Sequence, residues 1–103
     1  MHGGMLRRLM LLSIENPDPA YLESMRSALA AATDNVEGVV SSVVHDALPI
    51  NKSPCTFVWE TVFADQDALD VYRDHPYHID VLIPLFTAIQ FTATTAFIDD
   101  AGA

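Results

Sequence analysis

A chain of 103 residues, half of them apolar and 18% charged, has room for one domain with a real core and no more. Its formal net charge of −9, with only five lysines and arginines, repels phosphate backbones and anionic lipid, which argues against nucleic acid and membrane surfaces as partners. The single cysteine, Cys55, cannot close an intrachain disulfide, which fits a reducing compartment and an expected cytoplasmic location.

The apolar run from Met5 to Ile14 lies between Gly3-Gly4 and Asn16-Pro17-Asp18-Pro19, and its length favours a strand over a helix. Arg7-Arg8 before Leu9-Met10-Leu11-Leu12 imitates the start of a secretion signal. The apolar stretch is too short for one, however, and Glu15 and Pro17 interrupt it. Asp18 can cap the following helix, with Pro19 at its first position, where no amide hydrogen is needed. From Tyr21 to Ala32, spacings of three and four put Tyr21, Leu22, Met25, Ala28, Leu29 and Ala32 on one face, and Thr33-Asp34-Asn35 closes the helix.

A second strand is expected from about Val36 to His45, followed by a loop through Pro54. Cys55 to Phe63 is the strongest strand pattern in the chain. Alternation assigns Phe57, Trp59, Thr61 and Phe63 to one face and Thr56, Val58, Glu60 and Val62 to the other. Asp65 caps a short helix through Tyr72 that Pro76 stops. Ile79, Leu82, Ile83, Phe86 and Ile89 then mark a second helical segment that Pro84 should split. Gln90 to Ile98 is the last strand, and residues 1–4 and 99–103 are expected to be flexible ends.

The order β-α-β-β-α(α)-β is the split arrangement of ferredoxin-like α+β folds, with helices on one face of a four-stranded antiparallel sheet. The other face should read polar if it meets water. Here the first and third strands carry large apolar residues on both faces, so a homodimer packing sheet on sheet is expected.

The polar cluster is Tyr72-Arg73-Asp74-His75-Pro76-Tyr77-His78. Imidazole titrates near neutrality, so His75 or His78 can move a proton, and Tyr72 can donate to a developing oxyanion. The same residues also suit a plain helix corner in which His75 caps carbonyls and Pro76 enforces the stop.

Tyr72, His75, Pro76 and His78 resemble the Y-x-x-H-P-x-H signature of the stress-responsive α/β-barrel (Dabb) family. Met5 to Leu11, Glu37-Gly38-Val39 and Thr56 to Phe63 with its central Glu60 are similar to other parts of that family. The resemblance implies a ferredoxin-like dimer whose two sheets form a barrel, binding a small molecule. It implies a cyclase or isomerase using no metal or organic cofactor, since a polyketide cyclase belongs to the family. In that enzyme the histidine matching His78 is the base and the tyrosine matching Tyr72 assists. Its partner histidine lies on strand one, where this chain has Arg8.

Arginine cannot shuttle a proton but binds carboxylates and stabilises enolates, so Arg8 in the pocket would favour an anionic or enolisable substrate. The alternative is that Arg8 snorkels at the strand edge. In this family the pocket lies between sheet and helices, which nominates Trp59, Phe57, Met25, Leu29, Leu82 and Phe86 as apolar lining and His75 as a further contact. A metal on His75 and His78 with Asp74 or Asp80 lacks a third strong ligand. Cys55 reads as a buried small hydrophobe, and neither His45 nor His2 is assigned a role. Two other functions stay open: a non-catalytic stress or scaffold dimer, and a cofactor-free monooxygenase of the same superfamily.

Overall fold

The β-branched and aromatic run around Trp59 forms an interior strand. A computed structural model of the chain describes residues 4–99 and joins four strands in one antiparallel sheet. They are β1 (Leu6–Ile14), β2 (Val39–Asp46), β3 (Phe57–Phe63) and β4 (Phe91–Asp99), in the spatial order β2-β3-β1-β4. The connections hold α1 (Pro19–Ala30), α2 (Ala32–Asn35), α3 (Gln66–Asp74), a π-helical turn over Tyr77–Leu82 and α4 (Ile83–Thr87). This is a ferredoxin-like α+β fold.

The expected caps form. Asp18 Oδ2 accepts the Tyr21 amide at 3.1 Å, and Asp65 Oδ1 accepts the Ala68 amide at 2.8 Å. Several details differ from expectation, among them β3, which starts at Phe57 rather than Cys55, and β4, which runs one residue later at each end. Residues 33–35 belong to the separate short helix α2, where Asn35 Nδ2 donates back to the Ala31 carbonyl at 2.8 Å. The second strand starts at Val39 rather than Val36, because Gly38 turns the chain with φ of 97°. The loop after β2 contains a 3-10 turn at Ile50–Lys52, with Asn51 and Lys52 at positive φ. Asp99 closes β4, while the other terminal residues expected to be flexible, except Gly4, lie outside the described residues.

Gly38 has two reasons to be glycine. Its φ is one that other residues rarely adopt, and an added Cβ would lie 2.9 Å from the Ala68 Cβ in the next helix. Gly38→Ala is therefore expected to cost about 1–3 kcal/mol, read as a lower urea midpoint at unchanged slope. A midpoint within error of wild type would show that β2 and α3 can separate without loss.

On the helix side, Leu12, Met25, Leu29, Phe57, Phe63 and Tyr72 form the fully buried centre of the core. Behind Trp59, Ser42 Oγ accepts the indole N–H at 2.8 Å and itself donates to the Leu29 carbonyl at 2.7 Å. That chain of bonds fixes the indole plane against β2.

The other face carries rows set by the register. One crosses His45, Val58, Leu11 and Thr94; the next crosses Val43, Glu60, Leu9 and Ala96; a third crosses Ser41, Val62, Arg7 and Ile98. Leu11 and Val43 are each 45% exposed, and no helix among the described residues covers them. A diagonal of charge runs through the apolar rows. Arg7 Nη1 donates to Glu60 Oε2 at 2.9 Å, and His45 Nε2 meets Glu60 Oε1 at the same distance. The sequence reading left His45 without a role and missed this three-strand pairing.

Candidate functional site

The site begins with a buried cation. Arg8 lies mid-strand on the helix-facing side of β1, between Thr61 and Phe97 of its neighbours, and is 8% exposed. Its guanidinium carbon is 4.5 Å from the Trp59 ring centroid, 5.3 Å from that of Tyr72 and 5.5 Å from that of Phe63. Nη2 donates to Thr61 Oγ1 at 3.3 Å, and the buried Nε has no partner. Arg8 thus turns inward rather than snorkelling at the edge. Among the described residues it faces rings and a hydroxyl, with no carboxylate against it.

Tyr72 enters from the last turn of α3, where the amphipathic spacing buries it against the sheet. Its ring meets Phe63 edge-on at 5.2 Å and lies 4.6 Å from the His78 ring. The hydroxyl has no hydrogen-bond partner among the described residues. Tyr72 therefore contacts both the guanidinium and the imidazole.

The corner that presents His78 depends on Pro76 and the π turn. His75 leaves the helix with extended backbone, φ −72° and ψ 139°, the geometry a residue before proline prefers. His75 Nδ1 accepts the Tyr77 amide at 3.0 Å, so this ring caps the new turn. The widened turn Tyr77–Leu82 then carries His78 back beside Tyr72. Such turns recur at functional sites. Tyr77 pins the turn to α1 by donating its hydroxyl to the Ala28 carbonyl at 2.6 Å, and burial, with Tyr72 nearby, pushes the Tyr77 phenol pKa up. Pro84 sits in the first turn of α4, where its missing N–H does least harm, and the segment expected to kink or split there instead stays helical, passing from π to α type at Ile83.

His78 Nδ1 is 3.0 Å from the Arg73 carbonyl oxygen. A carbonyl only accepts, so that contact places the proton on Nδ1 and leaves Nε2 as the basic nitrogen.

Arg8, Tyr72 and His78 border one cavity of about 190 Å³, which Trp59, Leu82 and Phe86 also line. Met10, Ile83 and Phe91 complete the wall, and the sequence reading had not named them. Phe91 begins β4, whose every residue is exposed, and its ring lies 5.1 Å from that of Phe86 in α4. Met25, Leu29 and Phe57 lie elsewhere, packed in the core. His75 borders a separate open depression with Glu37, Asp65 and Asp67. Asp74 and Asp80 are exposed, and no three metal-ligating side chains converge among the described residues. The Cys55 thiol contacts the Phe57 carbonyl at 3.3 Å. No helix among the described residues is long and apolar enough to cross a membrane.

Residues 6–94 match the family described as the stress-responsive A/B barrel domain, Dabb. The chain belongs to the Dabb family. Solved structures with the same fold include a dimeric ferredoxin-like protein of unknown function from Bacteroides fragilis. It is 14% identical, with a TM-score of 0.79 and coverage of 93% of this chain and 96% of that one. A protein from Arabidopsis thaliana is 14% identical, with a TM-score of 0.78 over 95% and 97% of the two chains. SnoaB, a cofactor-independent oxygenase from Streptomyces nogalater, is 16% identical, with a TM-score of 0.75 over 97% and 96%. No curated protein sequence matches the chain. The Dabb signature assigns this fold; at these identities the structural neighbours speak to fold alone.

Proposed function

We propose that this Dabb protein is a homodimer that binds a small enolisable molecule and moves a proton with His78 as general base, without a bound cofactor. The observation that carries this is the His78 imidazole, its proton directed at the Arg73 carbonyl, on a cavity it shares with an unpartnered Tyr72 hydroxyl and a buried arginine. In the reaction, Nε2 of His78 takes a proton from carbon next to a carbonyl. The electron pair moves to oxygen, where Tyr72 donates a hydrogen bond and Arg8 supplies positive charge. An enolate so formed closes a ring by attacking a second carbonyl of the same molecule, or regains its proton at another carbon. The proposed chemistry is therefore that of a cyclase or isomerase, in a protein read as cytoplasmic.

The test is deuterium incorporation into single-ring aryl ketones in deuterium oxide, followed by NMR. Wild type is expected to accelerate exchange, and His78→Ala to lose about 10²- to 10⁴-fold of that rate. Equal rates in both proteins would remove the histidine from the mechanism. They would favour a non-catalytic stress or scaffold role in which the H-P-x-H element only shapes a corner.

A second reading is favoured by the likeness to SnoaB, whose description is a cofactor-independent oxygenase. The same deprotonated substrate would then react with dioxygen. Oxygen consumption during turnover of a hydroxylated aromatic substrate separates the two readings.

The homodimer is supported by the apolar rows on the uncovered sheet face and by fold neighbours described as dimeric, from Bacteroides fragilis among others.

A further inference from the structure

Arg8 is a permanent cation, and desolvating it among Trp59, Phe63 and Tyr72 is costly unless something returns the lost hydration. The three aromatic faces return part of it. Of the five N–H donors on a guanidinium, one reaches Thr61 at 3.3 Å, a long contact, while Nε reaches nothing. The chain has fourteen carboxylates against five basic residues, yet none of the described ones is placed on this group. Arg7, one residue earlier, is given Glu60 on the opposite face. A buried fork of donors with no anion, opening onto a cavity, is a binding site with half of its ion pair missing.

Cavity size limits what brings the other half. An apolar void of about 150 Å³ holds benzene, so the 190 Å³ here admits one ring and a small polar group. Trp59, Phe86 and Phe91 supply an aromatic wall, and Arg8 with Tyr72 supplies donors to the same space.

Building on the small-molecule site proposed above, we infer that the ligand is a compact single-ring carboxylate held by its anion on Arg8. The carboxylate accepts from the guanidinium, which leaves the single Tyr72 O–H for the developing enolate oxygen, and the ring lies against the aromatic wall of Trp59 and Phe86. Tyr72 is 5.3 Å from the guanidinium and 4.6 Å from the imidazole, and all three line one cavity, so an acid with its enolisable carbon a few bonds from the carboxylate can meet both the charged site and the base. The net charge of −9 repels anions at long range, which leaves selection to the local contact.

Calorimetric titration of benzoate and phenylpyruvate against their neutral amides tests this. Wild type is expected to bind each acid at least about tenfold tighter than its amide, as a charge-assisted pair requires. Arg8→Met is expected to lose that preference while melting no lower than wild type, because a buried, uncompensated charge has been replaced by an apolar chain. Amides binding as well as acids to wild type, no acid binding at millimolar concentration, or an acid preference that survives Arg8→Met would each overturn the inference. Benzoate has no enolisable carbon, so its binding reports on the anion site without any proton transfer by His78. Acid-selective benzoate binding together with no proton exchange would sink the proposed chemistry and leave this site standing.

Discussion

An aspartate in place of Leu11 is expected to convert the proposed dimer to a monomer at micromolar concentration. Leu11 lies mid-strand on the uncovered sheet face, beside Val58 and Thr94, and is 45% exposed in the protomer. Twofold symmetry would place the new carboxylate in the interface twice, each copy desolvated among apolar neighbours. At several kcal/mol for each unpaired ion, the dissociation constant should rise by about a thousandfold or more. Sedimentation equilibrium reads the outcome as a fall from twice the chain mass to once. Val71→Asp on the exposed face of α3, where the valine is 58% exposed, is the control and should leave the mass unchanged. A Leu11→Asp protein that stays dimeric would show that the copies meet through another surface.

Much of this was legible in the sequence because strand alternation is a two-residue code. Alternation put Phe57, Trp59, Thr61 and Phe63 on one face of β3, and all four are buried, but which side of the sheet that face takes was not legible from it. The apolar residues left on the other face foretold a surface the protomer does not cover. What the code lacks is register. Arg7, Glu60 and His45 come from three strands, and only the alignment of Leu9 with Glu60 and Glu60 with Val43 brings their side chains together. Their shared face was deducible from parity; their pairing was not.

The corner at positions 72–78 was legible in part. Pro76 announced the break, but His75 and His78 looked like one cluster at a spacing of three. The extended backbone at His75 sends its ring to cap the Tyr77 amide, while the π turn carries His78 to Tyr72. No hydrophobic period distinguishes a π turn from an α-helix over six residues, so the sequence could not reveal the widening that separates the two histidines. Met25, Leu29 and Phe57 were correctly apolar and inward-facing. They fill the core, whereas the cavity is walled by Arg8 and Met10 of β1, Trp59 of β3 and Phe91 of β4.

Leu82 belongs to both regions, and its truncation gives the largest expected loss of stability. It ends the π turn, is 1% exposed, packs in the core cluster and lines the cavity beside Phe86. Leu82→Ala removes its transfer energy and leaves a void, together costing about 2–5 kcal/mol. For a domain of this size the melting temperature should fall by roughly 10–30 °C. Val81→Ala on the same turn, 39% exposed, should stay within about 0.5 kcal/mol of wild type. The void would be continuous with the cavity, so a ring acid carrying an extra ethyl group should bind Leu82→Ala better than wild type and raise its melting temperature in proportion to occupancy. Loss of stability without that gain would mean that Ile83 and Phe86 collapse into the space. The pocket wall would then be a mobile part of the core, and the size limit placed on the ligand would have to come from the chain's dynamics instead of from its packing.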